Sequence, residues 1–430
     1  MSCSEWKSVK LEEVVDILGD GLHGTPKYSD DGEYYFINGN NLDGKIIVNE
    51  KTKRVGLEQY LKYKKDLNDR TLLVSINGTL GKVAEYGGEN IILGKSACYF
   101  NVKKDVNKKY IKYILLSDIF KHYIHNYSTG TTIKNLGLKQ MREFKIPLPN
   151  IEEQEKIANI LSSLDDKIEL NNEMNKTLEE MAQSIFKRWF VDFEFPNEDG
   201  EPYKSSGGDM VESELGMIPK GWEVRNFRHY TENVLGGDWG KDSEQGNYSK
   251  KVYCLRGADI PEVRIGNKGA LPTRYILEKN YKNKKLSTGN IVVEISGGSP
   301  TQSTGRTTYI NDLMLNKFDA DLVCTNFCRA ITLRSKTYME YFYFYWKFLY
   351  DNDVFFQYEN GTTGIKNLDI NSFLDKYKIV IPSEKIISLF SKKIAALINK
   401  IQFNGEENIN ISDLRDVLLP KLLSGEIEIK

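Results

Sequence analysis

The stretch Tyr127-Ser128-Thr129-Gly130-Thr131-Thr132-Ile133-Lys134-Asn135-Leu136 returns later as Tyr358-Glu359-Asn360-Gly361-Thr362-Thr363-Gly364-Ile365-Lys366-Asn367-Leu368. Each copy runs on into an apolar segment tipped with proline, Phe144-Lys145-Ile146-Pro147-Leu148-Pro149 in the first and Tyr377-Lys378-Ile379-Val380-Ile381-Pro382 in the second. Each then passes into a long helical pattern. A chain made of two copies of one globular-domain-plus-helix unit presents two similar surfaces at a fixed separation. That is the geometry of a ruler, and the remaining sequence bears on what it measures.

Placed at an offset of 233 residues, the two helical segments put their apolar positions in register. In the first copy Ile157, Leu161, Leu164, Ile168, Asn171, Asn175, Leu178, Ala182, Ile185 and Trp189 fall at alternating steps of four and three. Phe390, Ile394, Leu397, Ile401, Asn404, Asn408, Ile411, Arg415, Leu418 and Leu422 hold the same places in the second. A sustained alternation of this kind is a coiled-coil seam, because it keeps one stripe of a helix turned towards its partner. Asn171, Asn175, Asn404 and Asn408 interrupt the stripe at matching points; seam amides weaken a coiled coil but fix its register. Helices of about 35–40 residues would be about 50–60 Å long, and pairing with each other, antiparallel, covers both seams. Pro420 should end or kink the second helix near its last turns.

Between the copies, Asn197-Glu198-Asp199-Gly200-Glu201-Pro202-Tyr203-Lys204-Ser205-Ser206-Gly207-Gly208 has the composition of a linker. Gly221-Trp222-Glu223-Val224 then echoes Glu5-Trp6-Lys7-Ser8-Val9, so Trp6 and Trp222 open equivalent domains. Short β-rich runs broken by Gly and Asn fill each domain, at 34–37, 71–76 and 91–101 and again at 252–255, 290–295 and 322–333. One helix is expected in each, over 110–124 and 338–349. The expected fold class is α+β: two tandem α+β domains separated by two long helices that form an antiparallel coiled coil, a pseudo-two-fold repeat. The expected boundaries are 1–150 for the first domain, 151–195 for the first helix, 196–215 for the linker, 216–383 for the second domain and 384–424 for the second helix.

The 430 residues are 40% hydrophobic and 28% charged, which suits a soluble globular chain of two to four domains. No apolar run reaches the roughly 18 residues a membrane helix needs, and the N-terminus lacks the layout of a secretory signal. Five cysteines, an odd number without a C-x-x-C pair, and only four histidines argue for reduced thiols in a cytoplasm, without a disulfide framework or a zinc site. The net charge of −1 conceals a pattern. Residues 1–151 carry 23 Lys and Arg against 18 Asp and Glu, and residues 216–383 again 23 against 18. The intervening 152–215 has 6 against 17, and 384–430 has 7 against 7. A polyanion would be drawn to the two globular parts and repelled by the spacer.

Tandem β-rich domains alternating with heptad helices, a G-T-T-x-x-N-L-type loop before a proline-tipped strand in each half, and Met210-Val211-Glu212-Ser213-Glu214-Leu215-Gly216-Met217-Ile218-Pro219-Lys220-Gly221-Trp222-Glu223-Val224 opening the second half form one combination. Over essentially the whole chain it resembles the specificity subunit of type I restriction-modification systems. The resemblance implies two target-recognition domains, each reading one half of a bipartite double-stranded DNA site. It implies helices that set the gap between half-sites and dock two modification subunits, which bind S-adenosylmethionine and methylate adenine at N6. Restriction subunits would join to cleave unmodified DNA after ATP-driven translocation. The specificity subunit itself would do no chemistry and hold no cofactor, S-adenosylmethionine, ATP and Mg²⁺ belonging to its partners.

The motif content fits that division of labour. The chain has no Asn/Asp-Pro-Pro-Tyr/Phe of the kind that holds an adenine amine, no G-x-G-x-x-G after a strand, and no Pro-Asp leading into Glu-x-Lys. Gly88-Glu89-Asn90-Ile91-Ile92-Leu93-Gly94-Lys95-Ser96 has five residues between its glycines where a phosphate-binding loop has four, and reads as a strand end. His122 and His125 lie three apart on a helix without a carboxylate or Cys neighbour to complete a metal site, and read as surface residues.

Sequence reading needs donors and acceptors on loops stiff enough to enter a groove; phosphate anchoring needs Lys, Arg and backbone N–H groups. In the first domain the best candidate is the loop Asp20-Gly21-Leu22-His23-Gly24-Thr25-Pro26-Lys27-Tyr28, followed by Asn77, Thr79 and Lys82 after a strand. The second-domain counterparts are Trp239 and Lys241 in a different leading loop, and Ser299, Thr301, Gln302 and Arg306 in a longer polar loop, where Gln302 could pair adenine and Arg306 guanine or phosphate. Thr131, Thr132 and Lys134, and Thr362, Thr363 and Lys366, are common to both halves, which suits phosphate positioning or a domain–helix joint better than differing base preferences. Unlike leading loops on one frame imply unlike half-sites. The run Tyr341-Phe342-Tyr343-Phe344-Tyr345-Trp346 reads as core at helical spacing rather than as a stacking platform. Two readings from other classes stand beside this one: a stand-alone DNA-modifying enzyme with an unrecognised site, and a coiled-coil scaffold for protein partners.

Overall fold

A computed structural model describes residues 6–299, 301–361, 365–427 and 429. The chain forms two compact units, one of residues 1–166 with 411–430 and one of residues 167–410.

In the first unit, the strands Thr71–Ser75 and Ala97–Val102 are buried at every residue, so both of their faces are covered. They lie in a five-stranded sheet of order Val15–Asp20, Ala97–Val102, Thr71–Ser75, Val83–Glu85, Leu42–Ile46. Its pairs are antiparallel except the last. A second sheet joins Arg54–Val55, Tyr34–Ile37 and Ile91–Leu93, the last two parallel. Lys7–Lys10 pairs antiparallel with Lys145–Leu148, so the proline-tipped strand closes the domain against its own beginning. The core includes Leu72, Phe100, Tyr110, Phe120 and Phe144. It also takes in Ile157 and Leu161 from the start of the first long helix and Leu422 and Leu423 from the end of the second.

The second unit repeats the plan. Thr231–Gly236, Cys328–Leu333, Asn290–Glu294 and Thr307–Tyr309 form an antiparallel sheet in that order. Thr273–Leu277, Tyr248–Leu255 and Leu322–Cys324 form the second sheet, again with a parallel last pair. Glu223–Asn226 pairs with Lys378–Ile381. Among the described residues no strand takes the place of Leu42–Ile46 in this order. The helix Met339–Asp351 buries its aromatic run: Tyr341, Phe342, Tyr343, Phe344 and Trp346 all lie in the core, with Phe186 and Phe390 from the two long helices.

The local differences from the sequence-based expectations have physical causes. The run 91–101 is two strands, Ile91–Leu93 and Ala97–Val102, and 322–333 is likewise Leu322–Cys324 and Cys328–Leu333, because the chain crosses from one sheet to the other at the turn between them. The helix expected over 110–124 is Lys108–Leu116 followed by Asp118–Tyr127. Ser117 takes extended backbone at the join, and its hydroxyl donates back to the Ile114 carbonyl at 2.7 Å. The linker region runs into a hairpin, Met210–Ser213 with Gly216–Pro219, and Phe195, just before the linker, stacks on Trp222.

The long helices are Ile151–Phe190 and Glu384–Leu423. The second runs through Pro420 and closes one turn later; a proline so near the end removes a single intrahelical bond and leaves little helix to deflect. In the second unit the two helices are antiparallel: Asn171 faces Asn408 and Asn175 faces Asn404. The repeat aligns Asn171 with Asn404 and Asn175 with Asn408, and antiparallel pairing crosses those partners over. Asn171 Nδ2 donates to Asn408 Oδ1 at 2.9 Å, and Asn404 Nδ2 to Asn175 Oδ1 at 2.8 Å. Asn175 also donates to the carbonyl of Ile265, on a loop of the neighbouring domain, at 2.7 Å.

Candidate nucleic-acid interface

In the first unit, Asp20 sits opposite Cys98 and Ser75 opposite Ala97, so the strands Val15–Asp20 and Thr71–Ser75 both release their loops from one end of the sheet. The first loop is pinned at its root. A Cβ on Gly21 would stand 2.1 Å from the Leu93 carbonyl oxygen, a distance only glycine avoids. Leu22 N–H donates to that carbonyl at 2.7 Å, and Lys95 N–H to the Leu22 carbonyl at 3.0 Å. Beyond the root, His23, Gly24, Thr25, Lys27 and Tyr28 are exposed while Pro26 is buried. His23 Nε2 lies 2.6 Å from Asp20 Oδ2, which orients the ring.

The second loop joins the duplicated motif. Gly78 N–H donates to the Lys134 carbonyl at 2.9 Å and Leu136 N–H to the Ile76 carbonyl at 2.9 Å. Asn77 Nδ2 reaches Asn135 Oδ1 at 3.2 Å, while Thr129 and Asn135 exchange backbone bonds and close the hairpin that carries Thr131 and Thr132. Asn77, Thr79, Lys82, Thr131, Thr132 and Lys134 therefore belong to two interlaced loops. Thr79, Thr131, Thr132 and Lys134 are exposed, and Asn77 and Lys82 are half-buried.

The second unit repeats the frame with different chemistry. A Cβ on Gly237 would stand 1.8 Å from the Thr325 carbonyl oxygen, and Asp238 N–H donates to the Cys324 carbonyl at 2.8 Å, matching the root at Gly21. Trp239 is 40% exposed, and the Arg274 guanidinium lies 4.1 Å from its ring centroid while donating Nε–H to the Trp239 carbonyl at 2.7 Å. Lys241 is exposed, its ammonium 5.6 Å from the Tyr248 ring. Ser299 and Gln302 close a turn that also carries the exposed Thr301. Gln302 Nε2 donates to the Tyr350 hydroxyl at 3.2 Å. Ser296 and Gly297 pair with Asn367 and Lys366, so here too the polar loop is stitched to the duplicated motif. Thr362 and Thr363 lie outside the described residues.

Two of the candidate residues are held by carboxylates within the protein. Arg306 Nε and an Nη donate to the two oxygens of Glu294 at 2.7 and 2.6 Å, and Glu294 is only 4% exposed. The hydrogen bonds to Glu294 strengthen the guanidinium's hold on its proton. Lys366 is half-buried and lies 3.0 Å from a Glu359 oxygen. Burial alone would raise the Glu359 carboxyl, but the Thr304 N–H and hydroxyl and the Lys366 ammonium together hold it below the usual range. Glu294 N–H bonds the Arg306 carbonyl at 2.8 Å just as Ser75 N–H bonds the Lys82 carbonyl at 2.8 Å, so Lys82 and Arg306 occupy equivalent places. Lys82 makes no ion pair among the described residues. Glu294 escaped the sequence reading; a lone carboxylate at the end of the buried run Asn290-Ile291-Val292-Val293-Glu294 is the signal that points to it.

His122 and His125 are exposed, and among the described residues no group of three His, Cys, Asp or Glu is placed to hold a metal ion. Among the same residues no helix is long and apolar enough to cross a membrane.

Comparison with known proteins gives a consistent result. Residues 3–180 match the model of the type I restriction modification DNA specificity domain. The type I restriction enzyme MjaIX specificity subunit of Methanocaldococcus jannaschii is 29% identical over 452 aligned positions, covering 99% of this chain and 94% of that one. The HindI specificity subunit of Haemophilus influenzae is 26% identical over 360 positions, covering 70% of this chain and 72% of its own. Among solved structures, the S subunit of a type I restriction-modification system from M. genitalium superposes with a TM-score of 0.53 at 18% identity, over 99% of this chain and 97% of that one, which is a likeness of fold.

Proposed function

We propose that this chain, which matches the type I restriction modification DNA specificity domain over residues 3–180 and is 29% identical to a type I specificity subunit along 99% of its length, is the DNA-recognition subunit of a type I restriction-modification complex, reading a bipartite, asymmetric double-stranded site. The observation that carries this reading is one frame bearing two chemistries. Each domain releases a pinned loop and a loop laced to its copy of the duplicated segment from the corresponding end of its own sheet. The exposed side chains differ: His23, Thr25 and Lys27 in one, Trp239, Lys241 and Thr301 in the other. A common frame with unlike tips suits two half-sites of unlike sequence.

The paired helices set the gap between half-sites and serve as the scaffold for modification and restriction subunits. Catalysis, with S-adenosylmethionine, ATP and Mg²⁺, resides in those partners, and this chain contributes recognition alone. The test is to express the chain with its modification partner and map methylated adenines across the host genome. The expected outcome is a split motif with two different halves and one gap length. A palindromic motif would contradict the asymmetric reading, and methylation without any motif would remove recognition itself.

A further inference from the structure

Over residues 51–65 the first unit carries Lys51, Lys53, Arg54, Lys62, Lys64 and Lys65 against a single carboxylate, Glu58. The segment spans the strand Arg54–Val55 and the helix Leu57–Tyr63. Lys51, Lys53, Arg54, Lys62 and Lys64 are exposed, and among the described residues none of the six makes an ion pair. Lys53, Arg54 and Lys62 rest on tyrosines instead. The Lys53 ammonium lies 5.8 Å from the Tyr28 ring centroid, the Arg54 guanidinium 5.2 Å from Tyr35, and the Lys62 ammonium 5.2 Å from Tyr63. Tyr34 and Tyr60 stack between them at 4.0 Å. A ring restricts a long cationic side chain without neutralising it, so the charge is presented to solvent already oriented.

This face is continuous with the first loop. Tyr28 pairs with Val55, Ser29 N–H donates to the Arg54 carbonyl at 3.0 Å, and Lys27 N–H donates to Gln59 Oε1 at 3.1 Å. Asp30, Asp31 and Glu33 follow on the next turn and are exposed. In the second unit the equivalent strand Thr273–Leu277 and helix Glu278–Lys284, with Lys251 and Lys285 beside them, also carry cations; Lys279 is exposed without an ion pair among the described residues, but the others named here meet partners within the protein. Lys285 pairs with Asp321 at 2.8 Å, Lys251 with Asp319 at 2.8 Å, Lys282 with Glu278 at 3.9 Å, Arg274 with Asp242, and Lys284 donates to the Gly237 carbonyl at 2.8 Å.

We propose that the face over 51–65, with Lys27, is a phosphate-tracking platform for duplex DNA, and that the first domain supplies most of the sequence-independent, salt-sensitive share of binding. The proposal rests on the DNA-recognition reading above and adds which surface meets the backbone. Binding of the full chain is measured by fluorescence anisotropy on a duplex carrying the mapped motif and on an unrelated duplex, from about 50 to 200 mM salt. Removing one cation that neutralises a phosphate flattens the plot of log affinity against log salt by about 0.9. The triple variant Lys53→Ala, Arg54→Ala, Lys62→Ala should flatten it by about 2–3 and weaken both duplexes by the same factor, with the methylation motif unchanged. The charge-keeping pair Lys53→Arg, Lys62→Arg should retain the wild-type slope. The matched triple in the second domain, Lys251→Ala, Lys282→Ala, Lys285→Ala, should leave the slope alone. An unchanged slope in the first triple overturns the platform while the wild type's preference for its motif leaves recognition standing. So does an equal loss from both triples, or an altered motif. A wild type without preference for the motif overturns both.

Discussion

The position shared by Lys82 and Arg306 shows how one substitution alongside another changes the task of a side chain. In the first domain the neighbour is Ser75, whose hydroxyl accepts from the Lys82 N–H at 2.9 Å and leaves the ammonium uncommitted. In the second the neighbour is Glu294, and the cation becomes half of a buried pair. Removing one member of such a pair leaves the other desolvated and alone, at about 3–5 kcal/mol. Arg306→Ala should fall near the lower end, since the edge of the guanidinium reaches solvent. Lys82→Ala should change stability by no more than about 0.5 kcal/mol, as surface changes do. Its effect should instead appear as weaker DNA binding with a shallower salt dependence. Urea unfolding and anisotropy on the two variants separate these outcomes; similar stability losses would mean that Lys82 is also structural. The exposed polar tips were legible in the residues. The partner of Arg306 was not, because Glu294 lies twelve positions away and only the pairing of Val293 with Thr307 brings the two together.

At the scale of elements, the seam was legible because a 3–4 spacing has one physical reading, and the offset of the repeat carried it through the asparagines. Which asparagine meets which depends on the direction of pairing, and the structure crosses them. The contact with the domain loop could not be read from periodicity, since it joins Asn175 to Ile265, 90 positions on. Lys317 supports the same loop, its ammonium donating to the Gly266 carbonyl at 2.5 Å and to Gln402 at 2.8 Å, and burial pushes it down to about 8. Asn175→Ala takes away both the acceptor for Asn404 and the donor to Ile265, leaving two buried groups short of partners. At about 1–3 kcal/mol for each such group, the loss should be about 2–4 kcal/mol in urea unfolding. The exposed neighbour Glu173→Ala should stay within about 0.5 kcal/mol. An Asn175→Ala variant as stable as wild type would show that water or a shifted register replaces both bonds.

For the whole molecule, the two units are closed by the same exchange of helix ends. The first unit takes Ile157 and Leu161 from the beginning of one long helix and Leu422 and Leu423 from the finish of the other. The second takes Phe186, Trp189 and Phe190 from the finish of the first and Ile387, Phe390 and Ile394 from the beginning of the second. By the repeat offset Leu422 and Leu423 stand where Trp189 and Phe190 stand, so one structural role is filled by aliphatic residues in one unit and aromatic ones in the other. The repeat made these positions equivalent on paper, but which core each helix end enters follows from antiparallel pairing rather than from spacing. Truncating either leucine removes a fully buried side chain at about 2–5 kcal/mol. The double variant Leu422→Ala, Leu423→Ala should therefore open the first unit selectively. Hydrogen exchange should quicken in Thr71–Ser75 and Ala97–Val102, while Asn290–Glu294 and Cys328–Leu333 keep their protection, because those strands draw their core from Trp189 and Phe190 instead. Equal quickening in both sets of strands would mean that the units unfold as one, and the division of the chain into two separately closed bodies would have to be abandoned.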